Sequence, residues 1–538
     1  MTKAQALADA AVRLAPALLG VGLFVLVGLA SVAALWRQAD VTQWAGYLAQ
    51  PYLWRLVRFS LWQALLSSGV SLLLAVAVAS CLCHRNFWGK QALLQGFALS
   101  MVVPTLVAVL GIVVVYGRSG WLNQWFGLEL PLYGLLGIVL AHVFFNMPLA
   151  VRLLLQGYAL IPGGQWRLAS QLGFGRWAAF WLIEWPYVRR VLPGAFVLVF
   201  MLCFSSFAVV LSLGGGPRSS TLEVAIYQAL RFDFDIGRAT FLSLLQMLIC
   251  GVMAALVYRL STPPPLDVSL WPRRVPGLRD SGWARTLDGA ALTLALLWVV
   301  PPFLAILGPV GSPTFMATLW APATWRAVGV SLSLAVPAAL LSVALGLAFA
   351  VGARAAMERP GWAWLPQQLE QLGNWILVMP ALVLATGLFL LLRDAGWSAV
   401  PNHAIVVWVN AVMALPFVLR ALLPAVYQYE KRYRRLYQSL GVRGWTRVLR
   451  DWPLLRRSVA QALGYAMLLS LGDMGVIALF GSQGLVSLPL YLYQLIGTYR
   501  LQEGASVAVL LVLLCALLFM ACTRGIGGPA PKVGVGHA

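Results

Sequence analysis

YGLLGIVLAHVFFNMPLAVRLLL, residues 133–155, is a run of 23 residues interrupted only by one histidine, one asparagine and one arginine. As a helix it rises about 34 Å, enough to cross a hydrocarbon core of roughly 30 Å. Eleven further runs resemble it, near 14–36, 59–79, 92–116, 191–213, 239–260, 290–307, 328–350, 375–392, 404–419, 458–480 and 505–520. Lipid offers no partners for backbone polar groups, so continuous apolar runs read as helices; barrel strands would alternate over about 10 residues. The expected fold class is an all-α polytopic membrane protein with about twelve transmembrane helices. Composition agrees: of 538 residues, 61% are hydrophobic and 10% charged. A soluble protein carries about 25% charged residues. The first run is too long for the apolar core of a signal peptide.

The net charge of +21 would suggest nucleic acid in a soluble protein. Here its placement decides otherwise, because cytoplasmic loops accumulate Lys and Arg. With both termini in the cytoplasm, 28 of the 38 Lys and Arg fall inside. The densest stretch runs from Arg420 to Arg457. All six cysteines lie in or beside apolar runs and read as reduced packing residues.

The chain repeats itself. Trp54-Arg55 and Ser60-Leu61 recur as Trp325-Arg326 and Ser331-Leu332. Gly111 recurs as Gly387, Pro148 as Pro416, Leu172-Gly173 as Leu440-Gly441 and Tyr227-Gln228 as Tyr493-Gln494. The series keeps its order, which indicates duplication. Each half holds six helices, an even number, so the two are parallel repeats, with a substrate path expected near their common axis. The expected domains are a first half at 1–262 with a loop at 156–190, and a cytoplasmic linker at 263–288 stiffened by Pro263–Pro265. A second half at 289–524 has a loop at 424–457, and a cytoplasmic tail follows at 525–538.

The two loops are the most informative segments. Residues 161–194 read IPGGQWRLASQLGFGRWAAFWLIEWPYVRRVLPG, and residues 429–459 read YEKRYRRLYQSLGVRGWTRVLRDWPLLRRSV. Each has a helical stretch, then Leu-Gly, then an acid-Trp-Pro step: Glu184-Trp185-Pro186 and Asp451-Trp452-Pro453. Gly173 and Gly441 are suited to end a helix. Pro186 and Pro453 are expected to stop one, leaving a short helix between them and the glycines. These are either amphipathic helices on the lipid surface or a docking surface used twice.

The loops resemble the EAA loops of ABC-importer permeases, whose pattern is Glu-Ala-Ala, three residues, then Gly. The glycines fall on Gly173 and Gly441. The acidic position holds Arg167 and Arg435, and of the alanines only Ala169 is kept. The segments AHVFFNMPLAVRLLLQ, FMLCFSSFAVVLSLGGGP, LEVAIYQAL, SLGDMGVIALFG and LPLYLYQLIGTYR resemble permeases of bacterial thiamine and thiamine pyrophosphate importers. The resemblance implies a type I permease of the inner membrane, working with two copies of a cytoplasmic ATPase and a periplasmic substrate-binding protein. ATP and Mg would be bound by the ATPase, with no cofactor or metal in this chain. Ferric-iron permeases share the fused two-half plan, which makes them the alternative substrate class.

No G-x-x-x-x-G-K-[ST] is present, nor a catalytic constellation, so the chain reads as a transport subunit and not an enzyme. Candidate path residues lie inside spans. Asp473, flanked by Gly472 and Gly475, either attracts a cation or holds helices together. His142 and Asn146 share one helix face, with Asn410 at the repeat position of His142. They either hydrogen-bond between helices or line the path. Ser205, Ser206 and Ser470 serve packing or lining. A stand-alone ion-coupled secondary transporter is the competing class, and it calls for more intramembrane ionisable groups than these. On the outer side, 221–230 and 488–495 read as matching short interfacial helices.

Overall fold

The computed structural model describes residues 3–100, 103–260, 282–357, 362, 364–394, 396, 402–442, 444–481 and 484–527. The linker as far as residue 281, with Pro263–Pro265, and the tail beyond 527 lie outside the described residues. Among those described, every regular element is helical. The first repeat contains α1 (Lys3–Arg37), α2 (Val41–Ala49), α3 (Pro51–His84), α4 (Lys90–Ser100), α5 (Thr105–Tyr116) and α6 (Trp121–Phe126). After these come α7 (Leu135–Ala159), α8 (Gly163–Gln171) and α9 (Arg176–Ala179). A π-helical turn, Phe180–Glu184, leads into α10 (Trp185–Phe204), α11 (Phe207–Leu213), α12 (Leu222–Arg231) and α13 (Ile236–Leu260). The second repeat runs α14 (Gly282–Leu307), α15 (Pro313–Trp320), α16 (Pro322–Met357), α17 (Leu365–Asn374) and α18 (Ala381–Asp394). It ends with α19 (Asn402–Ser439), α20 (Gly444–Gly472), α21 (Gly475–Phe480), α22 (Leu488–Gly497) and α23 (Leu501–Ala521).

Ten described helical stretches are long and apolar enough to cross a membrane. The other two runs, near 375–392 and 458–480, are interrupted. Pro380 separates a 3-10 turn, Trp375–Val378, from α18, and α20 gives way to α21 at Asp473 and Met474. The first repeat breaks at matching places, at Pro104 before α5 and at Ser205-Ser206 between α10 and α11. Two prolines depart from expectation. Pro453 lies inside α20, and Pro186 sits in the first turn of α10. The π turn ends at Glu184, two residues before Pro186, and the helical path runs on from Arg176 to Phe204, with Pro186 supplying no backbone donor within it. The separate short helix is α8, before Gly173 and not after it.

The described residues form two compact units whose boundaries cut across the repeats. One holds Met1–Gln38, Ala321–Tyr491 and Leu510–Ala538; the other holds Ala39–Trp320 and Leu492–Val509. The halves 1–262 and 289–524 are thus units of sequence repetition, while each compact unit takes its opening helix from the other repeat. In the first unit α1 packs on α16 and α18. A Cβ on Gly387 would stand 2.5 Å from the carbonyl oxygen of Ser31, so only glycine admits that approach. Phe24 meets Phe349 edge-on at 5.6 Å, and α16, α19 and α20 close the core. In the second unit α14 packs on α5 and α3. There a Cβ on Gly111 would stand 2.5 Å from the carbonyl oxygen of Pro302. The repeated glycines therefore mark the same helix crossing, made once in each unit.

The repeated serines have an equally local cause. A helix start leaves backbone N–H groups without intrahelical partners. The buried start of α12 donates from Leu222 N–H to Ser60 Oγ at 3.0 Å, and that of α22 from Leu488 N–H to Ser331 Oγ at 2.8 Å.

Candidate functional site

The two loops present similar tips by different routes. In the first, Pro162 separates α7 from α8, and α8 buries Trp166 and Ala169 while exposing Arg167 and Leu168. In the second, α19 runs on without interruption to Ser439 and exposes Arg435 and Leu436. Gly173 (φ +70°) and Gly441 (φ +63°) both occupy the left-handed position that ends a helix. The crossing bonds run from Phe174 N–H to Ala169 O at 2.9 Å and from Val442 N–H to Tyr437 O at 3.0 Å. That pattern is a Schellman cap, and its left-handed residue favours glycine. Before each glycine stands an exposed leucine, Leu172 at 62% and Leu440 at 67%. Exposed leucines at matching places on two polar, arginine-rich tips suit surfaces that another protein covers.

Behind the tips, each acid of the acid-Trp-Pro step is buried and neutralised. Glu184 has no exposed surface. Its Oε2 accepts from Ser80 Oγ (2.8 Å) and Tyr158 OH (2.9 Å). Its Oε1 lies 2.7 Å from His84 Nε2 and accepts from Arg176 Nη1 at 3.2 Å. Arg176 also reaches Ser80 Oγ (2.8 Å) and Asp288 Oδ1 (3.4 Å), and Arg85 Nε donates to Asp288 Oδ2 at 2.7 Å. Asp451 pairs with Arg354 Nη1 at 3.0 Å and Arg447 Nε at 3.7 Å, and Arg447 also donates to Glu430. An unpaired buried carboxylate costs several kcal/mol, so these partners hold the loops to the bundle. Pro186 and Pro453 follow the acids two residues later and fall within helix, as described above.

The candidate path residues divide. His142 Nδ1 lies 3.1 Å from Ser67 Oγ, and Asn146 donates to His142 O at 2.9 Å and to Cys203 Sγ at 3.3 Å. Asn410 donates to Ser470 Oγ at 3.0 Å. These groups tie α7 to α3 and α10, and α19 to α20. Ser205 donates back to Met201 O, and Ser206 precedes α11. Asp473 stands at the break between α20 and α21, where its Oδ1 accepts from Gly475 N–H at 3.2 Å. Its Oδ2 is buried without a hydrogen-bond partner among the described residues.

The helices α12 and α22 form where matching short helices are expected. Outside the apolar spans, Glu223 of α12 is buried and accepts from Gln246 Nε2 at 2.9 Å. Burial pushes its carboxyl from 4.5 up to about 8, with the Gln246 hydrogen bond pulling the other way. All six cysteines are buried and unpaired.

Sequence reasoning found the two acids but not their partners: His84, Tyr158, Arg176 and Asp288 in one network, and Arg354, Glu430 and Arg447 in the other. One signal was available. At the spacing that relates Trp54 to Trp325, His84 falls one residue beyond Arg354, so both acids meet the same end of equivalent helices.

Comparison with known proteins gives one family match and three relatives. Residues 71–262 match the family described as binding-protein-dependent transport system inner membrane component. The chain is 44% identical over 515 residues to the thiamine transport system permease protein ThiP of Salmonella typhimurium strain LT2, covering 94% of this chain and 95% of that one. It is 43% identical over 483 residues to the protein of the same name as that relative, from Brucella abortus strain 2308, covering 88% of each. It is 39% identical over 500 residues to the namesake from Haemophilus influenzae, covering 91% and 92%.

Proposed function

The chain belongs to the family of thiamine transport system permeases, inner membrane components of binding-protein-dependent transport, and from that premise we propose that it is the transmembrane subunit of an ATP-driven importer. The substrate is thiamine or thiamine pyrophosphate, moved from periplasm to cytoplasm. Both termini and both loops face the cytoplasm, where two copies of an ATPase subunit seat on the tips around Gly173 and Gly441. A periplasmic binding protein delivers substrate on the opposite side. The observation that carries this reading is near full-length identity to permeases of one named transport system.

The loop chemistry supports it. Exposed Arg167, Arg435, Leu172 and Leu440 present charge and apolar surface to a partner, while Glu184 and Asp451 fix each tip to the spanning helices behind it. Movement imposed on a tip is thereby handed to α3 and α10 in one unit, and to α16 and α20 in the other. Along the path, the broken fifth helix of each repeat supports a cation route. The α10 and α20 ends leave carbonyl dipoles at Ser205-Ser206 and Asp473. The unpartnered Oδ2 of Asp473 adds charge suited to the thiazolium of thiamine.

Right-side-out vesicles or proteoliposomes, with the binding protein outside and the ATPase inside, should take up labelled thiamine only when ATP is enclosed. Uptake by this chain alone, driven by an ion gradient, would overturn the proposal. Uptake of ferric iron in place of thiamine would overturn the substrate.

A further inference from the structure

We propose that Asp288 is a positioning residue of the transport cycle, tying the first loop to α14 by a charged pair for which the matching position of α1 has no acid. The proposal rests on the reading of both loops as levers moved by an ATPase. Arg176 follows the Gly173 turn directly, so it moves with the tip. Its guanidinium holds Glu184 on one side and Asp288 on the other, at 3.2 and 3.4 Å. Arg85, at the end of α3, clamps the second oxygen of Asp288 at 2.7 Å. Asp288 is 9% exposed. A buried acid is tolerated when paired, and here two arginines pair it.

At the second loop the position of Asp288 holds no acid. Arg354, Arg447, Glu430 and Asp451 come from α16, α19 and α20, all within the second repeat. At the repeat spacing that relates Trp54 to Trp325, the position matching Asp288 is Ala17 on α1. Ala17 carries no charge and meets α16 by close packing, its Cβ 3.1 Å from where a Cβ on Gly352 would stand. At these matching positions one opening helix carries an acid paired to a loop and the other carries a packed alanine.

The pin has leverage because α14 is held again farther along. Pro302 lies against Gly111 with no room for a methyl group. The intervening helix, some 14 residues, spans about 21 Å at 1.5 Å per residue. A displacement of Arg176 thus acts on a rod held near both ends.

The test is ATP hydrolysed per labelled thiamine taken up, in proteoliposomes holding the chain, its ATPase and its binding protein. Asp288→Asn should raise that ratio several-fold, and Asp288→Glu, which keeps the charge, should recover most of it. If Asp288→Asn fails to assemble, Arg176→Lys keeps the Arg85–Asp288 pair and should still raise the ratio. A wild-type ratio in an assembled Asp288→Asn complex, or in Arg176→Lys, overturns the proposal. Uptake without ATP consumption by the wild-type complex would instead overturn the importer reading.

Discussion

Single side chains in this protein are governed by what replaces water around them. Glu223 shows the rule with a sign that can be checked. Its folded carboxyl titrates near 8 because burial disfavours the charged form, whereas an unfolded glutamate titrates near 4.5. An acid raised on folding contributes stability that is complete below 4.5 and is lost as pH rises through about 8. Thermal unfolding of the purified protein between pH 5 and 9 should therefore show a falling midpoint, and Glu223→Gln should flatten that fall. An unchanged slope in the variant would assign the pH dependence elsewhere. Around Glu184 and Asp451, arginines take the place of water.

At the scale of elements, the caps decide where helices stop. Gly441 has open space around its missing side chain, so substitution there costs backbone strain alone. A β-branched residue held at φ +63° loses about 1–3 kcal/mol, and asparagine loses less because it tolerates this region. Gly441→Val should cut ATP-dependent uptake several-fold while Gly441→Asn retains most of it. Equal activity in both would show that the cap geometry is dispensable. This cap was legible in the sequence, because Leu-Gly before an acid-Trp-Pro step occurs twice. The run-through at Pro186 and Pro453 was not, since a π turn and a first-turn placement depend on the neighbouring backbone. The networks around the acids were legible only as matched positions. His84 and Glu184 stand 100 residues apart, and no local pattern joins them.

For the whole molecule, duplication was readable and the exchange of opening helices was not. Repeats reveal which positions correspond, and not which copy a helix touches. The sequence shows only that Gly111 recurs as Gly387; the structure shows that each meets the other repeat closely, at Pro302 and Ser31. Fragments ending at residue 262 and beginning at 282 should therefore be unstable singly. Each should turn over several-fold faster than the intact chain in a pulse-chase measurement, and co-expression should restore both lifetime and uptake. A fragment 1–262 that is long-lived alone would show that the exchanged contacts contribute little.

The same exchange sets a schedule for biosynthesis. α1 leaves the ribosome early, but α16, on which it packs, begins only at residue 322. At about 5–20 residues per second the delay is roughly 15–60 s. Throughout that interval the face of α1 that will lie against Ala348 and Gly387 has only lipid or the insertion machinery for company. α14 has no such wait, because α3 and α5 are already in place when it emerges. One opening helix is born into a finished seat and the other must be stored, so the newborn chain is most vulnerable to membrane proteases while α1 is unhoused.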